Sequence, residues 1–318
     1  MSQILDVQDL KVYFRTILGD AKSLDGVSLR VYEGEILGIA GESGCGKSTL
    51  VEGILKLVRP PGYIHSGKVI YNGKNLVELE EEEFRKMRWT DISYIPQGSM
   101  NSLNPVIKVE EQMIDGIISH IDISYQEAKE IADQALNSVG LPLDVTQMYS
   151  HELSGGMRQR VCIAMSICLK PKIVFADEPV TALDVVMQKL NLQTIGELRE
   201  KFGITVVMVA HDMAWHAEIS DRICIMYAGK IVEIGPTLDI FVSPLHPYSR
   251  GLLEAIPSLE RRFARSIPGI APSPLNWPDG CRFHPRCSNI MRVCEEVDPP
   301  LLEIEKDRFV ACHIYGGG

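Results

Sequence analysis

Short apolar runs alternate with longer stretches of helical spacing along most of this 318-residue chain. Near the start, ILDVQDLKVYF and SLDGVSLRVYEG read as strands closed by turn residues. GEILGIAG (34–41) is a short apolar strand, and KSTLVEGILKLV (47–58) has its apolar residues at helical spacing. RPPG (59–62) breaks that helix. GKVIYNGKNL reads as a strand pair or a strand and turn, and ELEEEEFRKMR (78–88) as a solvated helix. The stretch 108–152 is mainly helical; QEAKEIADQALNSVGL (126–141) has an amphipathic pattern closed by Gly140 and Pro142. LSGGMRQRVCIAMSICL (153–169) starts a buried helix, KIVFAD (172–177) is a buried strand, and LDVVMQKLNLQTIGELREKFG (183–203) is a helix stopped by Gly203. ITVVMVAH (204–211) is another buried strand, followed by RICIMY and KIVEIG. Continuous apolar strands alternating with helices predict a parallel sheet covered on both faces.

The pattern changes beyond about residue 240. SPLHPYSRGLLEAIPSLERRF mixes turns with one short helix, and residues 267–300 carry seven prolines. That many prolines exclude a regular sheet or a long helix. Such a segment needs another staple, and Cys281, Cys287, Cys294 and Cys312 cluster there. Composition narrows the classes further. Hydrophobic residues make up 45%, which excludes wholesale disorder. The net charge of -10 argues against a polyanionic partner, so nucleic-acid binding is not expected. No uncharged apolar run approaches the ~18 residues of a membrane span. MSQILDVQDLK lacks the apolar core of a secretion signal, so a soluble intracellular protein is expected, with thiols or metal ligands rather than disulfides.

Three segments carry chemistry. GESGCGKS (41–48) fits G-x-x-x-x-G-K-[ST] between a strand and a helix. Its glycines let backbone N–H groups turn toward phosphate oxygens, and the helix N-terminus adds partial positive charge. Lys47 would reach the β- and γ-phosphates and Ser48 would bind Mg2+; Gly41, Ser43, Gly44, Cys45, Gly46 and Thr49 complete the expected nucleotide contacts. KIVFADEP (172–179) ends a buried strand in Asp177, a ligand for Mg2+, with Glu178 placed to polarise an attacking water. LSGGMRQR (153–160) opens a helix with Ser154, Gly155 and Gly156, a second anion-binding helix start in one chain.

This last segment resembles the signature of the ABC-type ATPase family, LSGGQ, with Met157 in place of the usual Gln. Other elements match in order: Gln97 in YIPQG resembles the family's Q-loop glutamine, TALD (181–184) its D-loop, and His211 its switch histidine. Phe14 aligns best with the aromatic residue that stacks on adenine, with Tyr13 as the alternative. The resemblance implies an α/β fold: a P-loop ATPase core over residues 1–240, with a helical subdomain at about 98–165 and an antiparallel β-subdomain, followed by an extension over 241–318. It implies two such subunits paired head to tail, each ATP held by the phosphate loop of one and the signature of the other. Glu178, His211, Lys47 and Gln97 would be the catalytic set, with Mg2+ held by Ser48, Gln97 and Asp177.

The tail narrows the resemblance. SPLHPYSRGLLEAIP (243–257) and GCRFHPRC (280–287) resemble the C-terminal extension of dipeptide and oligopeptide importer ATPases. HELSGGMRQRV and DEPVTALDVV resemble the same group, with Val180 where Thr or Ser is common. Relatives with this cysteine pattern hold an iron–sulfur cluster, so Cys281, Cys287, Cys294 and Cys312 are expected to bind [4Fe-4S], with zinc as the alternative. The resemblance further implies two transmembrane permease subunits, an extracytoplasmic substrate-binding protein acting through them, and attachment at the cytoplasmic face of the membrane. A heterodimer with a related ATPase is the preferred assembly and a homodimer the alternative. Oligosaccharide or nickel cargo, a soluble ABC ATPase and a redox-sensing regulator are the rival readings.

Overall fold

The computed structural model describes residues 2–181, 183–256 and 267–316. Ala182 of the TALD segment and the end of the segment expected to form a short helix, 257–263, lie outside the described residues. In chain order the strands are β1 (Gln3–Thr16), β2 (Gly19–Tyr32), β3 (Ile36–Ala40), β4 (Gly62–Tyr71), β5 (Lys74–Asn75), β6 (Ile92–Ile95), β7 (Ile173–Asp177), β8 (Thr205–Val209), β9 (Arg222–Tyr227), β10 (Lys230–Pro236), β11 (Leu302–Glu305) and β12 (Arg308–Val310). The helices are α1 (Lys47–Ile54), α2 (Glu81–Met87), α3 (Val109–His120), α4 (Tyr125–Ser138), α5 (Gly155–Ile167), α6 (Val185–Phe202), α7 (Met213–Ile219), α8 (Thr237–Val242), α9 (Pro247–Glu254) and α10 (Val293–Glu296). They fall into two compact units: Met1–Tyr32, Leu37–Glu78 and Val209–Gly318 in one, Glu33–Ile36 and Leu79–Met208 in the other. Among the described residues no helix is long and apolar enough to cross a membrane.

The first unit contains an antiparallel sheet in the order β2-β1-β4-β5. Leu5, Val7, Leu10 and Val12 of β1 are buried. α1 lies so close to β1 that a Cβ on Gly53 would sit 3.0 Å from Val12 Cγ2, which explains a glycine inside a helix where it costs about 1 kcal/mol. A second set of strands runs β11-β12-β10-β9-β3. β3 pairs parallel with β9, Ala40 opposite Ile225, while β9, β10, β12 and β11 pair antiparallel. All five residues of β3 and all six of β9 are buried, as the apolar runs ILGIA and ICIMY predict, with Arg222 at the start of β9 buried alongside them. His216 of α7 is wholly enclosed, its Nε2 against the Ala210 carbonyl at 3.3 Å. Burial pushes its pKa down to about 4, so the ring is neutral at pH 7.

The proline-rich tail does not stand apart from this unit. Tyr248 and Phe283 join Tyr227, Ile223, Ile225 and Ile240 in one buried apolar cluster, with the two tail aromatics 5.4 Å apart. Glu233 of β10, fully buried, accepts the backbone N–H groups of Leu245 and His246 at 2.9 Å each and so fixes the start of α9. β11 and β12 were not foreseen from sequence: seven prolines precede them, and their alternation over three or four residues is too short to register.

In the second unit the strand order is β8-β7-β6, and β6 pairs parallel with β7, Ile92 opposite Ile173. α4 buries Ala128, Ala132, Ala135 and Leu136, the stripe expected of its amphipathic pattern. Ser124 opens it with a full capping box to Glu127, its Oγ taking the Glu127 N–H at 3.3 Å and its own N–H meeting Oε2 at 2.9 Å. α6 starts on Asp184, which accepts the Met187 N–H at 3.0 Å, and stops at Gly203 with φ +66°. α2 buries only Phe84, in keeping with the solvated helix its acidic run predicts.

Candidate functional site

The phosphate-loop motif sits in the first unit between β3 and α1. Gly41, Gly44 and Gly46 have φ of +148°, +78° and +106°, a left-handed backbone that side chains resist. Gly46 is the N-cap of α1, so the positive end of that helix lies at the loop. Lys47 is buried, and its ammonium donates to the carbonyls of Gly41 at 2.8 Å and Glu42 at 3.1 Å. An ammonium held on backbone carbonyls can pass to phosphate oxygens without leaving the loop. Ser43 and Gly44 are exposed, and Ser48 is half-buried. Thr49 Oγ1 accepts from Ser23 Oγ at 3.0 Å, tying α1 to β2. Cys45 is enclosed and burial raises its thiol pKa, which keeps it protonated and fills the small space beneath the loop.

The two carboxylates lie in the second unit. Asp177 ends β7 and is 1% exposed, an environment that favours a cation beside it. Glu178 follows with φ +49°, strained for a non-glycine residue, which turns its side chain out of the strand direction. Its Oε2 accepts from Gln97 Nε2 at 2.9 Å and Thr181 Oγ1 at 3.0 Å. The sequence segments YIPQG and DEPVT thus meet at one carboxylate oxygen, 81 residues apart. Ser154 is the N-cap of α5 and accepts the Met157 N–H at 3.3 Å. At Gly156 a Cβ would lie 2.0 Å from Met187 Cε, so the helix start is held tightly to α6. His211 follows β8 and is exposed.

The two aromatic candidates of β1 have different surroundings. Tyr13 donates to Asp25 at 2.8 Å and stacks on His65 at 4.6 Å. Phe14 is half-buried against the Gly62 backbone, where a Cβ would lie 2.6 Å from its ring.

In the tail, Cys281 donates its backbone N–H to the Cys294 carbonyl at 2.9 Å. The Cys281 thiol is pushed up to about 11, first by burial and then by Cys294, Cys312 and Cys287, so the four sulfurs share one electrostatic neighbourhood. Burial also raises Cys287 and Cys312. Yet among the described residues no group of three or more His, Cys, Asp or Glu side chains stands in a metal-holding arrangement. The expected array of Cys281, Cys287, Cys294 and Cys312 around iron or zinc is therefore not seen as such; a thiolate site of this kind is closed by the metal that binds it. His284 and His313 face the carbonyls of Cys281 and Val297, at 3.0 and 2.8 Å, in keeping with structural roles. Cys162, Cys168 and Cys224 are buried in the core.

With this geometry in place, the comparisons with known proteins are decisive. The profile of the family described as ABC transporter matches residues 24–181, and that described as oligopeptide/dipeptide transporter, C-terminal region, matches 232–294. A dipeptide transport ATP-binding protein of Caldanaerobacter subterraneus subsp. tengcongensis is 42% identical over 322 residues, covering 100% of this chain and 99% of its own. This chain belongs to the ABC transporter family. An oligopeptide transport ATP-binding protein of Escherichia coli is 41% identical over 97% of this chain and 92% of its own. A dimeric ATP-binding cassette solved with ADP and phosphate is similar in fold, with a TM-score of 0.66 and 27% identity over 74% of this chain and 99% of that one. The ABC ATPase cassette fold and ATP hydrolysis coupled to transport follow from membership of the family, with ATP and Mg2+ as its substrate and metal.

Sequence reasoning missed several residues of this ABC ATPase's site. Thr181 was seen only as part of TALD, without its bond to Glu178. Glu42, an unspecified position of the phosphate-loop motif, is gripped by Arg286 and Tyr248 of the tail. No spacing rule links positions 206 and 244 residues apart; only the shared presence of GES and HPRC was on view.

Proposed function

We propose that the protein is the ATP-hydrolysing subunit of an importer for dipeptides or oligopeptides. The observation that carries this reading is the match of residues 232–294 to the oligopeptide/dipeptide transporter C-terminal region, reinforced by full-length relatives named for dipeptide and oligopeptide transport. Residues 1–240 act as the ATPase domain, with a helical subdomain at about 98–165 and, near 90–150, the groove that receives the membrane subunits, and 241–318 as the importer-type extension. The ATPase pairs with a second cassette, preferably a related chain, beneath two permease subunits at the cytoplasmic face, fed from outside by a substrate-binding protein.

In the proposed cycle Phe14 stacks on adenine, with Tyr13 as the alternative, while Lys47 and the backbone of Gly41, Ser43, Gly44, Cys45, Gly46, Ser48 and Thr49 hold the phosphates. Ser48, Gln97 and Asp177 would hold Mg2+, which would supply positive charge to the phosphate oxygens. Glu178 takes a proton from the attacking water and His211 orients the γ-phosphate. Ser154, Gly155 and Gly156 serve the ATP held by the partner subunit. Glu178 suits its role because its Oε2 is fixed by Gln97 and Thr181, so the other oxygen is aimed without freedom to wander. The test is uptake. Proteoliposomes holding both ATPases and both permeases should accumulate labelled dipeptide or oligopeptide only with internal ATP and added binding protein. Uptake of an oligosaccharide or of nickel in place of peptide would overturn the cargo.

For the tail we propose that Cys281, Cys287, Cys294 and Cys312 ligate a [4Fe-4S] cluster that staples the extension, with zinc as the alternative occupant. The support is a set of four cysteines close in space: Cys281 is bonded through its backbone N–H to the Cys294 carbonyl, and burial raises the thiols of Cys281, Cys287 and Cys312, a cost that a bound cation would offset. Protein purified without oxygen should be brown and carry about four iron atoms per chain. Zinc in stoichiometric amount would replace the cluster, and absence of both metals would reject the site.

A further inference from the structure

Glu42 is the second residue of the phosphate loop, and each of its functional groups is engaged within the first unit. Its carbonyl receives Lys47 Nζ at 3.1 Å and the Cys45 N–H at 3.3 Å, which is the loop holding itself. Its other two groups are held from the tail. The backbone N–H donates to the Tyr248 hydroxyl at 2.8 Å. The carboxylate takes a two-pronged bond from Arg286, Nη1 to Oε2 at 2.7 Å and Nη2 to Oε1 at 2.9 Å. Arg286 is itself fixed from behind, its Nε donating to the Pro268 carbonyl at 2.8 Å and its Nη1 to the Tyr227 hydroxyl at 3.3 Å. Its side chain is 5% exposed, and Tyr248 is fully buried against Tyr227 at 4.6 Å between centroids.

A planar guanidinium anchored on one edge and forked onto a carboxylate on the other sets both the position and the rotation of that carboxylate. Glu42 cannot turn without breaking both prongs, and its peptide N–H cannot tilt without leaving Tyr248. The carbonyls of Gly41 and Glu42 that receive Lys47 flank this residue. The chain of contact therefore runs from the tail through Glu42 to the ammonium that meets the phosphates.

We propose that Arg286 and Tyr248 are positioning residues for the phosphate loop, holding Glu42 so that the loop is shaped for MgATP before the nucleotide arrives. The extension is then part of the support of the ATP site. This rests on the proposed phosphate-loop site. It would explain why a loop rich in left-handed glycines, which by themselves lower the cost of every alternative shape, is held in one of them.

The experiment is a mutant cycle on the full chain, read by calorimetric titration with MgATP and by steady-state hydrolysis. Glu42→Gln, Arg286→Ala and Tyr248→Phe should each weaken MgATP binding about tenfold, equivalent to about 1.4 kcal/mol, and raise KM by a similar factor while kcat at saturating ATP stays within about twofold. Arg286→Lys, which keeps charge but not the fork, should fall between wild type and Arg286→Ala. The double variant Glu42→Gln/Arg286→Ala should bind no more weakly than the worse single variant, the mark of one shared interaction. If Arg286→Ala does not fold, Tyr248→Phe keeps the ring in its core and removes only the hydroxyl, and Glu42→Gln leaves the tail intact. MgATP affinities of those two within about twofold of wild type, or losses that multiply in the double variant, would overturn the proposal. A wild-type protein that binds no MgATP would instead sink the phosphate-loop site and this inference with it.

Discussion

Glu178→Gln should bind MgATP normally and hydrolyse it at no more than about one hundredth of the wild-type rate, the ordinary loss when a general base is removed. The substitution is nearly isosteric, and its amide oxygen can still accept from Gln97 and Thr181, which hold Oε2 at 2.9 and 3.0 Å. What disappears is the basic oxygen opposite. The strained φ of +49° at this position persists because the surrounding chain fixes it, so the amide should occupy the place of the carboxylate. Hydrolysis stops while closure does not, so MgATP should shift the purified subunit toward a dimer on a sizing column. The measurements are phosphate release and elution volume with and without MgATP. Unimpaired release would transfer the role of base to another group.

Gly41→Ala should damage both stability and nucleotide binding. The added Cβ would lie 2.2 Å from the Met226 carbonyl oxygen and 2.8 Å from Cys45 Sγ, at a backbone φ of +148° that L-residues resist. The carbonyl belongs to β9, locked to β3 by the pairing of Ala40 with Ile225, so it cannot swing away. Overpacking against backbone together with left-handed strain should cost at least about 3 kcal/mol, lowering Tm by about 5 °C in a chain of this length. MgATP affinity should fall more than about tenfold, because the Gly41 carbonyl is one of the two that seat Lys47. Gly196→Ala is the matched control: nothing lies within 4 Å of its added Cβ inside α6, and the gain in helix propensity is up to about 1 kcal/mol. Calorimetric melting and nucleotide titration of both variants make the check. Equal melting temperatures would show that β9 yields more readily than a paired strand should.

Much of the nucleotide chemistry was legible in the sequence because each part is contiguous. A strand, a glycine-rich turn and a helix start within fifteen residues build an anion cradle through local backbone geometry alone. The same holds for Asp177 at its strand end and for Ser154 as the cap of α5, whose positions depend on the next three or four residues. The longer helices and most apolar strands followed from periodicity, whereas β6, α7, α8 and α10 are too short to carry one; the capping of α4 and the stop at Gly203 are local events. The short β11–β12 pair was not legible, since three or four residues carry no measurable period and the prolines before them point elsewhere.

What the tertiary structure alone decided lies between segments far apart in the chain. The sequence by itself determined the family, the phosphate-loop motif and the carboxylate pair Asp177 and Glu178 at a strand end. It left the extension as a separate, cysteine-stapled appendage. Folding instead set Tyr248 and Phe283 into the core of β9 and brought Arg286 across 244 residues onto Glu42. It also joined Gln97 to Glu178 and gave Tyr13 a partner in Asp25. The physical reason is one of range. Backbone conformation and helix starts are fixed by neighbours in sequence, whereas an ion pair or an apolar contact is fixed by whichever surfaces the whole chain brings together, and no periodicity in the chain records that choice.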